Sequence, residues 1–205
     1  MRVLLTGSTG TAGSATLQVL LADPGVTSVI ALSRRPLAER HEKLRVVLHE
    51  DFTDPGPLNA ALAETDALLW CLGIGQNDVP EEEYVRITYT TTLAFAQALL
   101  AANPKATFIF LSGQGADPTE KSRALFGRVK GRTERALDGL GLARLRLHRA
   151  QPLVPQHGPR TPGPRLGSGG PPAGEGRGLP SPPDHAQTPV GEALARPLGR
   201  VHRLR

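Results

Sequence analysis

The stretch Thr6-Gly7-Ser8-Thr9-Gly10-Thr11-Ala12-Gly13 constrains this chain more than any other. It follows the apolar run Val3-Leu4-Leu5 directly and opens a helical pattern from about Ala12 to Leu21, which Asp23-Pro24-Gly25 stops. Glycines at Gly-x-x-Gly-x-x-Gly spacing between a strand and a helix have separate tasks. Gly7 lets the chain turn sharply, Gly10 lets the backbone approach a pyrophosphate, and Gly13 lets the helix lie close to its strand. The helix N-terminus then presents unpaired N–H groups and a partial positive charge to the phosphates. A glycine-rich turn without a ligand is the plainer reading, and the strand–turn–helix setting weighs against it.

The next 140 residues repeat that alternation. Val26 to Leu32 reads as a second strand and Arg45 to Leu48 as a third, with a helix around Pro57 to Glu64. Ala67-Leu68-Leu69-Trp70-Cys71-Leu72 is a continuous apolar run suited to a central parallel strand. Pro80 and the following Glu81, Glu82 and Glu83 suit the positive end of a long helix reaching Ala102. Thr107 to Leu111 reads as a fifth strand, Pro118 to about Leu140 as a helix, and Ala143 to Leu147 as a sixth strand. The pattern predicts an α/β fold: a Rossmann-type, doubly wound parallel sheet of about six strands, covered on both faces.

Composition divides the chain at residue 150. Of 19 prolines and 23 glycines, 12 and 10 fall in residues 151–205, which hold no aromatic residue. That segment has no sustained apolar repeat and reads as an irregular Pro/Gly/Arg-rich tail beside a folded domain over residues 1–150. Two origins fit it, a native disordered extension or a shifted reading frame in GC-rich coding sequence. Seven of its residues are arginine against three acids, so most of the net charge of +5 belongs to the tail and argues little for nucleic-acid binding by the domain. Lys121, Arg123, Arg128, Arg132 and Arg135 crowd one predicted helix, but Glu120 and Glu134 interrupt them and no aromatic platform accompanies them; a solvated face is expected.

The end of the second strand, Leu32-Ser33-Arg34-Arg35, lacks the acid that usually meets a free ribose 2′-hydroxyl. Arg34 and Arg35 suit a 2′-phosphate, with Ser33 as a further donor, so NADP(H) is expected in preference to NAD(H). The plainer reading is a pair of solvated arginines. Asp51-Phe52 follows the third strand, where an adenine is commonly touched. Leu72-Gly73 ends the fourth, near the middle of such a cofactor.

With these residues the first 150 resemble the short-chain dehydrogenase/reductase superfamily. More narrowly, they look like its atypical branch of NmrA-like and Tat-interacting-protein-like NAD(P)-binding proteins. The resemblance also rests on Leu111-Ser112-Gly113-Gln114-Gly115-Ala116 and Val129-Lys130-Gly131-Arg132-Thr133-Glu134. It implies a serine at the fifth strand's end, matched by Ser112, and a Tyr-x-x-x-Lys pair, of which Lys130 matches the lysine and Phe126 stands at the tyrosine. In such enzymes the tyrosine moves the proton, and the lysine lowers its pKa and holds the nicotinamide ribose. Phe126 has no ionisable oxygen. Ser112 as a strand-end cap and Lys130 as a solvated charge are the plainer readings.

Two functions follow. One is an NADP(H)-dependent oxidoreductase acting on a small carbonyl substrate; the other is a non-enzymatic sensor of NAD(P)H that signals to a protein partner. A damaged relic without activity is a third reading. Tyr84 and Tyr89 are expected to pack at a helix surface. Cys71 reads as an inert core thiol, and the six histidines show no metal-ligand spacing. No apolar run reaches a membrane span and no signal-peptide pattern stands at Met1, so a cytoplasmic location is expected.

Overall fold

The computed structural model describes residues 1–150. Six strands, β1 (Arg2–Thr6), β2 (Ser28–Ser33), β3 (Leu44–Leu48), β4 (Ala67–Trp70), β5 (Thr107–Gly113) and β6 (Arg144–Ala150), form one sheet in the order β3-β2-β1-β4-β5-β6. Every neighbouring pair is parallel. Between them run α1 (Thr11–Ala22), α2 (Asn59–Ala63), α3 (Glu81–Val85), α4 (Thr91–Ala102) and α5 (Leu125–Gly139). This is the expected Rossmann-type doubly wound fold, and the strand order reverses between β1 and β4. Chains leave that point in opposite directions, which opens a crevice at the carboxyl ends of the strands. The expected tail over residues 151–205, with both of its proposed origins, lies outside the described residues.

The apolar runs form strands because helices cover them. Leu4, Leu68, Trp70, Phe108 and Phe110 pack beneath Leu62 of α2, Phe95 and Leu99 of α4 and Leu137 of α5. On the other face Val3, Leu5, Val29 and Leu69 meet Leu17, Leu20 and Leu21 of α1. The aromatic residues gather on the first face. Phe95 lies 4.8 Å from Trp70 and 5.7 Å from Phe52 between ring centroids, and Trp70 lies 6.3 Å from Phe108. Cover thins at the β6 edge, where Arg144 and Arg146 are exposed and Leu147 is 39% exposed.

Several expected boundaries move. The predicted helix from Pro118 begins only at Leu125, because the Asp117 carboxylate accepts from the Thr119 N–H and hydroxyl and from the Ser122 N–H. An acceptor of this kind competes with helix formation, and Glu120 in this loop has φ 59°. Lys121 and Arg123 consequently stand in the loop and not on α5. The run from Pro80 to Ala102 is interrupted by a π turn over Arg86–Thr90, where the Thr91 hydroxyl donates to the Arg86 carbonyl. Residues 57–64 divide into a short 3₁₀ turn, Gly56–Leu58, and α2. β4 stops at Trp70, so Cys71 and Leu72 begin the loop beyond it.

Phe95 sits at the centre of the aromatic stack and is fully buried. Phe95→Ala is expected to lower stability by about 3–5 kcal/mol. In urea denaturation the midpoint should fall while the slope is unchanged.

Candidate functional site

The glycine loop has the shape its spacing predicts. Gly7 has φ 69°, and a Cβ there would lie 2.5 Å from the Cys71 carbonyl oxygen. A Cβ on Gly13 would fall onto the Gly7 carbonyl, 2.5 Å from its carbon, so only glycine lets α1 descend this far onto β1. Gly10 differs, since a Cβ there meets only the Gly7 oxygen at 3.4 Å. Its bare Cα faces open space, which suits a bound group and not internal packing. No side chain caps α1; the Ser14 N–H is taken by the Gly10 carbonyl at 2.8 Å. Thr9, Gly10 and Thr11 are exposed, Ala12 is half-buried, and the Ser8 hydroxyl is buried without a partner among the described residues. A buried hydroxyl of this kind calls for an acceptor or donor, and a phosphate oxygen is one. Thr6 is committed elsewhere: its hydroxyl oxygen accepts from the Cys71 and Leu72 N–H groups, each at 3.2 Å, and ties β1 to the loop after β4.

Arg34, Asp51, Phe52, Leu72 and Gly73, expected from the sequence, line one cleft of about 370 Å³, whereas Gly7 to Gly13, Ser112 and Lys130 are not among its lining residues. The same cleft takes Glu50, Glu83 and Arg86, so acids share its lining with Arg34, although none pairs with Arg34 among the described residues. The acids come from β3's end and from α3, elements that sequence spacing does not place beside β2. Two of them are already engaged. The Thr53 hydroxyl and N–H hold the Asp51 carboxyl below the usual carboxylate range, and the Arg86 guanidinium does the same to Glu83 through bonds of 2.6 and 2.7 Å. Arg34 is exposed and forms no salt bridge among the described residues. Arg35 is exposed outside the cleft lining, and its N–H donates to the Ser33 hydroxyl at 3.2 Å.

At the end of β5, Lys130 reaches back from α5. Its ammonium donates to the Leu111 carbonyl at 2.9 Å and lies 4.5 Å from the Phe110 ring centre. Lys130 is therefore buried and not a solvated charge, and burial pushes its pKa down to about 8. Ser112 follows Phe108 and Phe110 at alternate positions, which puts its side chain on their face of the sheet; its hydroxyl is buried without a partner among the described residues. Phe126 is half-buried, with its ring tip against Gly113. Burial also pushes the Cys71 thiol up to about 11, in keeping with an inert thiol. Of the tyrosines, Tyr84 departs from expectation and is buried in the core, whereas half-buried Tyr89 packs at the helix surface under the Arg132 guanidinium, 4.3 Å from its ring centre.

Two contacts here were not legible in the sequence. The Gln76 side-chain oxygen accepts from the Phe126 N–H at 2.7 Å, so a residue 50 positions away caps a helix that has no cap of its own. The buried Glu134 carboxylate pairs with Arg149 through bonds of 2.9 and 2.5 Å and ties α5 to β6.

The model of the NAD dependent epimerase/dehydratase family matches residues 3–128. Over 141 residues the chain is 30% identical to the Leucinostatins biosynthesis cluster protein T of Purpureocillium lilacinum, covering 67% of this chain and 51% of that protein. The chain thus spans about half the length of this curated relative. Among solved structures it is similar to a GalE-like L-threonine dehydrogenase from Cupriavidus necator in holo form (TM-score 0.60, 18% identity, 73% of this chain and 54% of that one). It is also similar to a short chain dehydrogenase from Burkholderia cenocepacia in complex with NADP (TM-score 0.59, 19% identity, 71% and 69%). Uronate dehydrogenase from Agrobacterium tumefaciens gives a TM-score of 0.56 at 21% identity, with 69% and 57% covered. At these identities the structural likeness is one of fold. No described helix is long and apolar enough to cross a membrane.

The lowered Lys130 pKa makes a pH prediction. Its folded value lies below that of the free side chain, so the native state binds fewer protons than the unfolded one as pH rises through 8. The burial penalty is full below pH 8 and is relieved above it. Stability is expected to rise by about 1 kcal/mol between pH 8 and 9 relative to Lys130→Met. Above pH 9 the Cys71 thiol, raised by burial, pulls the other way. Urea denaturation of both proteins at the two pH values measures the difference.

Proposed function

Because the chain belongs to the NAD dependent epimerase/dehydratase family, we propose that it binds a nicotinamide dinucleotide across the carboxyl ends of its central strands, as an atypical, NmrA-like member. The observation that carries this reading is the uncapped start of α1 beside the bare Cα of Gly10 and the unpartnered Ser8 hydroxyl. Gly7 to Gly13 would receive the pyrophosphate on backbone N–H groups, with Ser8 completing its hydrogen bonds. Arg34, Asp51, Phe52, Leu72 and Gly73 would border the adenosine half, and the guanidinium of Arg34, without an ion-pair partner among the described residues, supports NADP(H) over NAD(H). Arg35 and Ser33 stand next to it on the strand end. When bound, the nicotinamide supplies or accepts hydride. In the oxidoreductase reading, Lys130 would hold the nicotinamide ribose and Ser112 would steady a small carbonyl substrate. A second reading, a non-catalytic NAD(P)H sensor acting on a protein partner, is favoured by Phe126, which offers no proton where a tyrosine would.

Fluorescence titration with NADPH and NADH tests the binding reading. Saturable NADPH binding is expected, lost in Gly10→Val without a change in melting temperature, because that position has room. Gly13→Ala is expected to lower the melting temperature, because its methyl meets the Gly7 carbonyl. Arg34→Ala should weaken NADPH by roughly 10–100-fold and NADH little. No saturable binding of either dinucleotide by the folded protein overturns the reading.

A further inference from the structure

The loop that follows β4 is fastened at both of its ends. At the near end the Cys71 and Leu72 N–H groups donate to the Thr6 hydroxyl, which ties the loop to β1. At the far end the Gln76 side-chain oxygen accepts from the Phe126 N–H at 2.7 Å, in the first turn of α5. Between the two fastenings lie Gly73, Ile74 and Gly75, all exposed. A Cβ on Gly73 would meet nothing within 4 Å, so packing does not hold the chain there. Glycines on either side of Ile74 leave the backbone much freedom to lose, and the Gln76 bond limits it. Leu72, Gly73 and Ile74 line the cleft, whereas Gln76 does not. One short segment therefore borders the cleft at one end and holds a helix start at the other. The N-cap residue of that helix, Ala124, offers no side-chain bond of its own. One turn beyond Phe126, α5 carries Lys130, whose ammonium is seated on the Leu111 carbonyl.

We propose that Gln76 is a positioning residue that couples occupation of the cleft to the first turn of α5. The coupling rests on the dinucleotide-binding reading and goes beyond it, since it gives the cleft a mechanical route to Lys130. A dinucleotide resting on Leu72, Gly73 and Ile74 takes up the freedom of the span, and the Gln76 bond takes up part of it beforehand. Each therefore favours the other, and linkage makes the effect equal in both directions. Without the Gln76 acceptor the dinucleotide alone must order the span, and the Phe126 N–H is left to water.

Gln76→Met keeps the length of the side chain and removes its acceptor. Gln76→Glu keeps an acceptor, which the partial positive charge of a helix start favours. Fluorescence titration of the full chain with NADPH is expected to show binding roughly 5–10-fold weaker in Gln76→Met and within about twofold of native in Gln76→Glu. Hydrogen exchange read by mass spectrometry gives a second readout. NADPH is expected to slow exchange at residues 126–129 in the native protein and in Gln76→Glu, and to leave it unchanged in Gln76→Met. Native affinity in Gln76→Met, or equal slowing in all three proteins, overturns the coupling and leaves the binding reading standing. So does NADPH bound to the native protein without slower exchange at residues 126–129. If Gln76→Met does not fold, Gln76→Asn, one methylene short of the bond, takes its place with the same expected losses. If neither NADPH nor NADH binds the native protein, the binding reading falls and the coupling with it.

Discussion

The rest of the structure depends on how closely α1 approaches β1. The Gly7 carbonyl stands where a side chain on residue 13 would be, and the Cys71 carbonyl stands where one on residue 7 would be. These two contacts bring the helix start down to the strand end and set the loop after β4 against it. The Thr6 hydroxyl fastens the same junction by accepting from Cys71 and Leu72. One short turn thus joins β1, β4 and α1 at the point where the strand order reverses, and leaves the first N–H groups of α1 facing the crevice. A helix start without a side-chain cap carries an energetic cost that an anion relieves.

The asymmetric core supports the other half of the site. Aromatic residues collect on the face covered by α2, α4 and α5, while aliphatic residues and α1 make the opposite cluster. The stack from Phe52 through Phe95 to Trp70 and Phe108 runs from the cleft wall to the centre of the sheet. Phe52 is therefore a cleft residue held from behind by core packing. Phe110 plays a related part for Lys130, since its ring lies under the ammonium that bonds Leu111. The pair of Glu134 and Arg149 then fixes α5 to β6. Among the described residues β6 has a partner strand on one side alone, and its residues are more exposed than those of the central strands.

Elements whose formation depends on local pattern were legible in the sequence. All six strands appear where apolar runs stand, and the glycine loop has the turn and the close approach that its spacing implies. What escaped was set by contacts distant in sequence. Pro118 resembles a helix start, but Asp117 takes the N–H groups that a helix would need. Nothing local tells that Gln76 caps α5 or that Glu83 and Glu50 share a cleft with Arg34. Lys130 looks solvated among basic neighbours, and only the angular position of α5 shows that its side chain turns inward. Ser112 and Gly113 illustrate the same limit, since a motif match cannot say which of two adjacent strand residues faces the ring of Phe126.

The cleft shows why charge must be read by pairing and not by sign. Its lining carries Glu50, Asp51 and Glu83 against Arg34 and Arg86, which by simple count disfavours a phosphate. Asp51, however, is turned into its own loop by Thr53, and Glu83 is held by Arg86 on the same helical run. Asp51 and Glu83 are thus satisfied within two or three residues of themselves, and neither they nor the exposed Glu50 forms a salt bridge with Arg34 among the described residues. Exposed pairs of this kind add little to stability, but they dispose of negative charge locally. Arg34 is left without an ion-pair partner among the described residues, just past the end of the strand that pairs with β1. Its guanidinium has a planar fork that matches a phosphate group in two bonds. The same residue count would read as acidic if Thr53 and Arg86 were replaced, and the cleft would then repel the group that Arg34 is placed to receive.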